Sequence, residues 1–192
     1  CAEGKAQFFY RVVRSGKAID FCETLSFPPA SRANVPQELL DIIFKNVSLI
    51  LGISYWKAYC PKNISIRNNW LTKKEAEFWN TVYTKGLGEF FYKNKIDFRG
   101  IVAFPYAQKK GRRAVSFPCR NSSLLLFGGG KDSILSGELL RRARKPFSAF
   151  SVNEYALHKN AIRILGAPHI VIQRIIDPRL LLLNKKRNVL NG

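Results

Sequence analysis

The stretch SSLLLFGGGKDSILSGELLRR, residues 122–142, changes character twice. Ser123–Phe127 is a nearly unbroken apolar run, the mark of a strand buried on both faces. It halts at Gly128, Gly129 and Gly130. From Ser133 to Ala143 the residues Leu135, Leu139 and Ala143 then recur at helical spacing, which predicts an inward helix face. Strand, glycine corner and helix place bare backbone beside a helix N-terminus, whose unpaired N–H groups and dipole favour negative charge. Glycine lets an anion approach the main chain closely, so the corner predicts a bound phosphate. A plain tight turn has no need of three successive glycines.

Downstream, PFSAFSV (146–152) reads as a second strand. Tyr155–Leu165 reads as a second helix with Leu157, Ala161, Ile164 and Leu165 inward and Gly166 as its cap, and HIVIQRII (169–176) as a third strand. Strands alternating with helices across short links predict a parallel sheet with right-handed crossovers. Three parallel strands make a thin sheet with one edge open near LLLLN (180–184), as if the domain were cut short. Ligands of such sheets bind beyond the carboxyl ends of the strands, where Gly128–Ser133 and Asn153 fall.

Upstream, AQFFYRVVR (6–14) and IDFCETLSF (19–27) predict a hairpin across SGKA, closed off by Pro28 and Pro29. Leu39, Ile43, Val47 and Ile50 give Pro36–Leu51 a helical stripe that Gly52 is expected to stop. NISIRN (63–68) suggests a short strand. Thr72 and Glu75 form a capping-box signature before KKEAEFWNTVYTK, with Gly86 as the stop, and GEFFYKNKI follows as helix or extended chain. Residues 101–121, with two prolines and a charge cluster, read as a linker. The fold class is therefore α/β: an amino-terminal α+β domain over residues 1–120, then the start of a parallel-sheet nucleotide-binding domain over 121–192.

Composition narrows the function. Apolar residues make up 46% of the 192, enough for a real core. No run of about 18 apolar residues occurs, which argues against a membrane span, and the first residues lack a signal-peptide pattern. Cys1, Cys22, Cys60 and Cys119 fit no zinc spacing and read as free thiols of a reducing, cytoplasmic compartment. The chain holds no methionine, as expected of one that starts inside a longer coding sequence. Net charge is +19, with clusters at Lys109, Lys110, Arg112 and Arg113, at Arg141, Arg142, Arg144 and Lys145, and at Lys185, Lys186 and Arg187. That balance suits RNA, a membrane surface or a phosphorylated substrate, although solvated basic faces would explain it too.

The loop type can be narrowed by elimination. A Walker loop needs glycine at position 125 and Ser or Thr after Lys131, where Leu125 and Asp132 stand. A dinucleotide fingerprint needs glycine where Ser133 stands. The remaining GGGKDS resembles the PP-loop, S-G-G-x-D-S, of the ATP pyrophosphatases, with Gly128 in place of the first serine. That resemblance implies that Gly128, Gly129, Gly130 and Ser133 cradle the phosphates of ATP. It implies too that Lys131 neutralises charge and that Asp132 helps hold Mg2+ or orients the loop; the end of the next strand, Phe150–Asn153, is placed near the nucleoside by topology alone.

Four segments together, GISYWKAYCP (52–61), LTKKEAEFWNTVYTKGLGEFFYKN (71–94), FGGGKDS (127–133) and the closing NVLNG, resemble the UDP-N-acetylmuramoyl-L-alanyl-L-glutamate epimerase family. The resemblance implies an ATP-dependent epimerisation of the terminal L-glutamate of UDP-MurNAc-L-Ala-L-Glu through an acyl-adenylate, releasing AMP and pyrophosphate, in peptidoglycan precursor synthesis. It makes Tyr55 and Lys57 candidate contacts for the nucleotide-sugar peptide, with Lys85, Gly86 and Glu89 carrying a similar hint; packing roles compete for all of them. The only histidines, His158 and His169, read as structural, and no residue stands out as the epimerising base. Two other readings stay open: a PP-loop enzyme that adenylates a tRNA base, and a nucleotide binder without turnover.

Overall fold

The protein was described in a computed structural model at residues 4–28, 35–67, 70–108, 115–118, 121–185 and 189–190. The cluster at 109–113, Cys1, Cys119, Lys186 and Arg187 lie outside the described residues. Element order is β1 (Lys5–Arg14), β2 (Lys17–Ser26), α1 (Gln37–Trp56), α2 (Lys73–Lys85), α3 (Gly88–Asn94), β3 (Ser123–Leu126), α4 (Lys131–Arg142), β4 (Phe147–Val152), α5 (Ala156–Leu165), β5 (His169–Ile175) and α6 (Pro178–Leu183). The chain forms two compact units. One comprises Cys1–Phe8, Glu23–Val35 and Ser116–Ile176; the other comprises Phe9–Cys22, Pro36–Val115 and Asp177–Gly192.

The first unit is mixed α/β. Its strands belong to a five-stranded sheet of order β1-β2-β5-β4-β3. β3 pairs parallel with β4, from Ser123↔Phe147 to Leu126↔Phe150, and β4 pairs parallel with β5, from Ala149↔His169 to Val152↔Ile172. The expected open edge beside β5 is absent, because β2 pairs antiparallel with it through Thr24↔Ile175, Leu25↔Arg174 and Ser26↔Gln173. LLLLN is no strand either: Pro178 at the first helical turn and the Asp177 cap turn it into α6. Buried Glu23 on β2 accepts from Arg174 Nε on β5 at 2.6 Å, so the seam carries a charge pair as well as a ladder.

Burial corrects three sequence expectations in this unit. β3 is an edge strand with one covered face: Leu125 and the following Phe127 pack inward with Ala149, Ile162 and Leu165. Leu124 and Leu126 are 56% and 70% exposed on the other face. Leu135 and Leu139 of α4 also face outward, and the buried position is Gly137. A Cβ there would meet Leu165 at 2.6 Å and Leu125 at 3.2 Å, so the small residue is what lets the helix seat closely. On α5, Leu165 is buried and Ala161 packs beside it as the spacing predicts, but Ile162 is buried too and Ile164 is exposed; apolar residues on both sides of a helix leave its inward face ambiguous to spacing alone.

The second unit holds the turn end of the hairpin, where Ser15 and Gly16 both take positive φ as a two-residue loop requires. Its core joins Leu49 and Trp56 of α1, Ala76, Trp79 and Tyr83 of α2, Phe90 and Phe91 of α3, and Leu71, Val102 and Phe104. α1 does not stop at Gly52 but continues to Trp56. Gly52 instead makes room: a Cβ would lie 3.0 Å from Tyr83 Oη and 3.3 Å from the Tyr10 ring. The expected strand at 63–68 reduces, among the described residues, to one bridge between Asn63 and Ala103. α1 is also long and apolar enough to cross a membrane by length and composition, which a run of unbroken apolar residues did not reveal. In this unit, however, Leu49 and Trp56 lie in the core, and Lys45 is buried and paired with Glu75.

Glu75 does two jobs. It closes the capping box with Thr72 at the start of α2, and it meets the Lys45 ammonium. Burial works to raise its pKa; the Lys45 contact and the Thr72 N–H outweigh that and hold it below the usual value. Glu75→Ala strands a buried cation and removes the acceptor of the Thr72 N–H from the capping box, and is expected to cost about 2–4 kcal/mol in urea unfolding. A loss under about 0.5 kcal/mol would contradict the role.

Asp177 caps α6, accepts from Cys22 N at 2.8 Å and pairs with Arg179. The Arg179 guanidinium, opposed by burial and aided by the Cys22 N–H, holds the carboxyl far below its ordinary range. A depressed carboxyl pKa stabilises above the unfolded value near ~4 and is lost as pH falls toward the folded one. The stability gap between wild type and Asp177→Asn should therefore shrink steadily below pH ~4 in urea titrations. A gap independent of pH would contradict this assignment.

Candidate functional site

The site is built where β3 ends. Phe127, buried, donates its N–H to Phe150 O at 2.8 Å and holds the corner against β4. Gly129 then takes φ +75° and Gly130 becomes the N-cap of α4 with φ −80° and ψ 166°. No side chain caps this helix. Among the described residues, no backbone acceptor takes the amide hydrogens of Gly129, Gly130, Lys131, Asp132 or Ser133. Five consecutive donors at a helix start, with an acid and a lysine beside them, make a site for an oxyanion rather than a finished turn.

The side chains of the corner are specific in what they offer. Lys131 and Asp132 are exposed. Ser133 Oγ donates to Gly130 O at 2.8 Å, so in this state its hydroxyl hydrogen braces the loop and its backbone N–H is the group left for a ligand. Ser136 Oγ braces the next turn through Asp132 O at 2.7 Å. No group of three His, Cys, Asp or Glu side chains able to hold a metal occurs among the described residues. A lone Asp132 fits Mg2+ better than Zn2+, because Mg2+ is held by one or two carboxylates together with substrate phosphates.

The α5 start closes the corner from the side. His158 Nε2 lies 3.1 Å from Gly128 O, and its ring stands edge-on to Phe127 and to Tyr155. A Cβ on Gly129 would meet His158 Cδ2 at 2.5 Å, whereas Gly128 and Gly130 have nothing within 4 Å. No local signal marks this contact, since His158 lies in the first turn of α5 and thirty residues from Gly128 by chain; only the parallel sheet brings α5 to the corner.

Asn153 also lies at this end of the sheet. It takes φ +60°, a conformation asparagine tolerates, donates its N–H to Ile172 O and accepts from Arg174 N at 2.7 Å through Oδ1. Its side chain thus ties β4 to β5. Nearby, Ser151 Oγ and His169 Nε2 are 2.7 Å apart, and His169 Nδ1 lies 3.7 Å from Glu154. The order of groups is that of a hydrolytic triad. Ser151 is only 3% exposed, however, and the acid is beyond hydrogen-bond reach, so this is a buried polar pair and not a nucleophile.

Tyr55 and Lys57 belong to the second unit. Tyr55 is 1% exposed, stacked on Tyr10 at 4.4 Å and tilted against Phe21. It packs the core. Lys57 Nζ stands 5.4 Å from the centre of the Phe90 ring. Burial pushes the neighbouring Cys60 thiol to about 11, with Lys57 opposing; Cys22 and Cys60 are both free thiols. Gly86 caps α2, where a Cβ would meet Val82 O at 2.5 Å, and Glu89 pairs with Lys93.

A mixed α/β protein with a glycine-rich strand-to-helix corner is the class these features define. Residues 1–192 match the family described as MurL N-terminal domain, and the chain belongs to that family. It is 32% identical over 173 residues to the UDP-N-acetyl-alpha-D-muramoyl-L-alanyl-L-glutamate epimerase of Xanthomonas oryzae pv. oryzae, covering 87% of this chain and 38% of the relative. It is 31% identical over 190 residues to the protein of that name from Micromonospora sp., covering 95% and 41%. The corresponding Salinispora tropica protein is 31% identical over 201 residues, covering 98% and 42%. The chain thus spans about two fifths of the length of these curated relatives. No solved structure matches it.

Gly129→Ala forces a side chain into the His158 ring at positive φ. It is expected to destabilise the protein by about 1–3 kcal/mol in urea unfolding. Gly128→Ala, with open space and no positive φ, should stay within about 0.5 kcal/mol of wild type. Equal effects of the two changes would contradict the described corner.

Proposed function

We propose that the chain forms the amino-terminal part of an ATP-dependent epimerase that converts the terminal L-glutamate of UDP-MurNAc-L-Ala-L-Glu to D-glutamate in the cytoplasm. The observation that carries the reading is the row of unaccepted amide hydrogens at Gly129–Ser133, in a chain whose relatives bear that epimerase name. Bound ATP would supply activation: the glutamate carboxylate displaces pyrophosphate from the α-phosphorus and becomes an acyl-adenylate with an acidified α-C–H. Loss of that α-proton to a base, return of a proton on the opposite face and hydrolysis of the acyl-adenylate by water would release AMP and the D-glutamyl product.

This chain's part is to bind and orient. The amides of Gly129, Gly130, Lys131, Asp132 and Ser133 would receive the β- and γ-phosphates, and the α4 dipole favours the charge they carry. Asp132, in the first turn and exposed, would share Mg2+ with those phosphates. Lys131 would offset the charge of departing pyrophosphate. Glycine at 128 and 130 leaves the approach open, since nothing stands within 4 Å of where a Cβ would be.

Incubated with ATP, Mg2+ and the UDP-linked dipeptide, the protein carrying this domain should release AMP in step with D-glutamate formation. Asp132→Ala should lower both by about two to three orders of magnitude. Unchanged turnover in that variant, or AMP release only on addition of tRNA, would overturn the reading.

A further inference from the structure

We propose that His158 is a positioning residue that fixes the peptide plane between Gly128 and Gly129 and so aims the Gly129 amide hydrogen at the anion the corner receives. The inference rests on the phosphate reading above and adds to it the residue that shapes the loop.

The hydrogen-bond chemistry fixes the tautomer. Gly128 O can only accept, so the 3.1 Å contact requires the hydrogen on His158 Nε2. Nδ1 is then the bare nitrogen, and it is buried with no hydrogen-bond partner. A bare nitrogen without a partner is the cheaper of the two orphans, because an N–H or a charge at that place would be stranded.

Planarity carries the effect across the peptide. The bond is trans, since no cis peptide occurs among the described residues. In a trans peptide the C=O and the next N–H point in opposite directions. Holding Gly128 O toward α5 therefore turns the Gly129 N–H away from α5. The ring cannot swing aside easily: it stands between Phe127, at 6.1 Å and 82°, and Tyr155, at 5.1 Å and 83°. It also occupies the space a side chain at 129 would need, which accounts for glycine at that position independently of any ligand.

The decisive variant is His158→Phe, which keeps a ring against Gly129, Phe127 and Tyr155 but has no donor. Affinity for inorganic pyrophosphate with Mg2+, measured by titration calorimetry, should fall roughly tenfold while the thermal midpoint stays close to wild type. The histidine ring 15N shifts of the wild type should show the hydrogen on Nε2. The role of His158 is overturned if wild type binds pyrophosphate and His158→Phe binds it equally well, or if the ring carries its hydrogen on Nδ1. Wild type with no measurable pyrophosphate affinity would overturn the phosphate reading itself, and the aiming role with it.

Discussion

The turn from β3 into α4 is possible only if position 129 accepts a φ of +75° and presents no side chain to the His158 ring. That constraint organises the first unit. β3 must end beside β4 for Phe127 to bond to Phe150, and Gly130 must cap α4 for the first amides of the helix to lie together without backbone acceptors. Gly137 then lets α4 lie close on Leu125 and Leu165. Parallel pairing of β3 with β4 and β4 with β5 delivers α5 to the same end of the sheet, and with it the one imidazole that touches the loop. The functional proposal therefore depends on backbone geometry more than on any reactive side chain.

The corner itself was readable from the chain, because three glycines after an apolar run have few structural uses, and the hairpin, the capping box at Thr72 and Glu75, and the parallel β3, β4 and β5 followed from equally local signals. Burial was less legible. Leu124, Leu126, Leu135 and Leu139 look like core in sequence but stand exposed, since an apolar run states that a residue can be buried and not which face is covered. Gly52 misled for a related reason: a glycine inside a helix can mark a stop or a close approach, and only the Tyr83 and Tyr10 contacts decide between them. His158 was illegible because its contact spans thirty positions and arises from sheet topology.

The second unit answers a different demand. Its aromatic core sets Trp56, Trp79 and Phe104 edge-on to Tyr83 and Phe91 edge-on to Trp56, and Tyr83 Oη donates to Leu49 O at 2.6 Å. Tyr55 and Lys57, the candidates for substrate, also meet aromatic rings: Tyr55 is stacked on Tyr10 beside Phe21, and Lys57 stands over Phe90. Residues that look like ligands in a linear motif are there held by other rings. The charged interior is similarly economical: Lys45 and Glu75 neutralise each other at the point where α1 meets the start of α2.

The central claim is that the loop amides, and not a surface basic cluster, receive polyphosphate. Residue-resolved amide spectra of the 15N-labelled protein during titration with Mg2+ and ATP test it most directly. The account predicts saturable shifts concentrated at Gly128–Ser133, with Gly129 among the largest. Saturable shifts centred on Arg141, Arg142, Arg144 and Lys145 while Gly129 stays unmoved would contradict it.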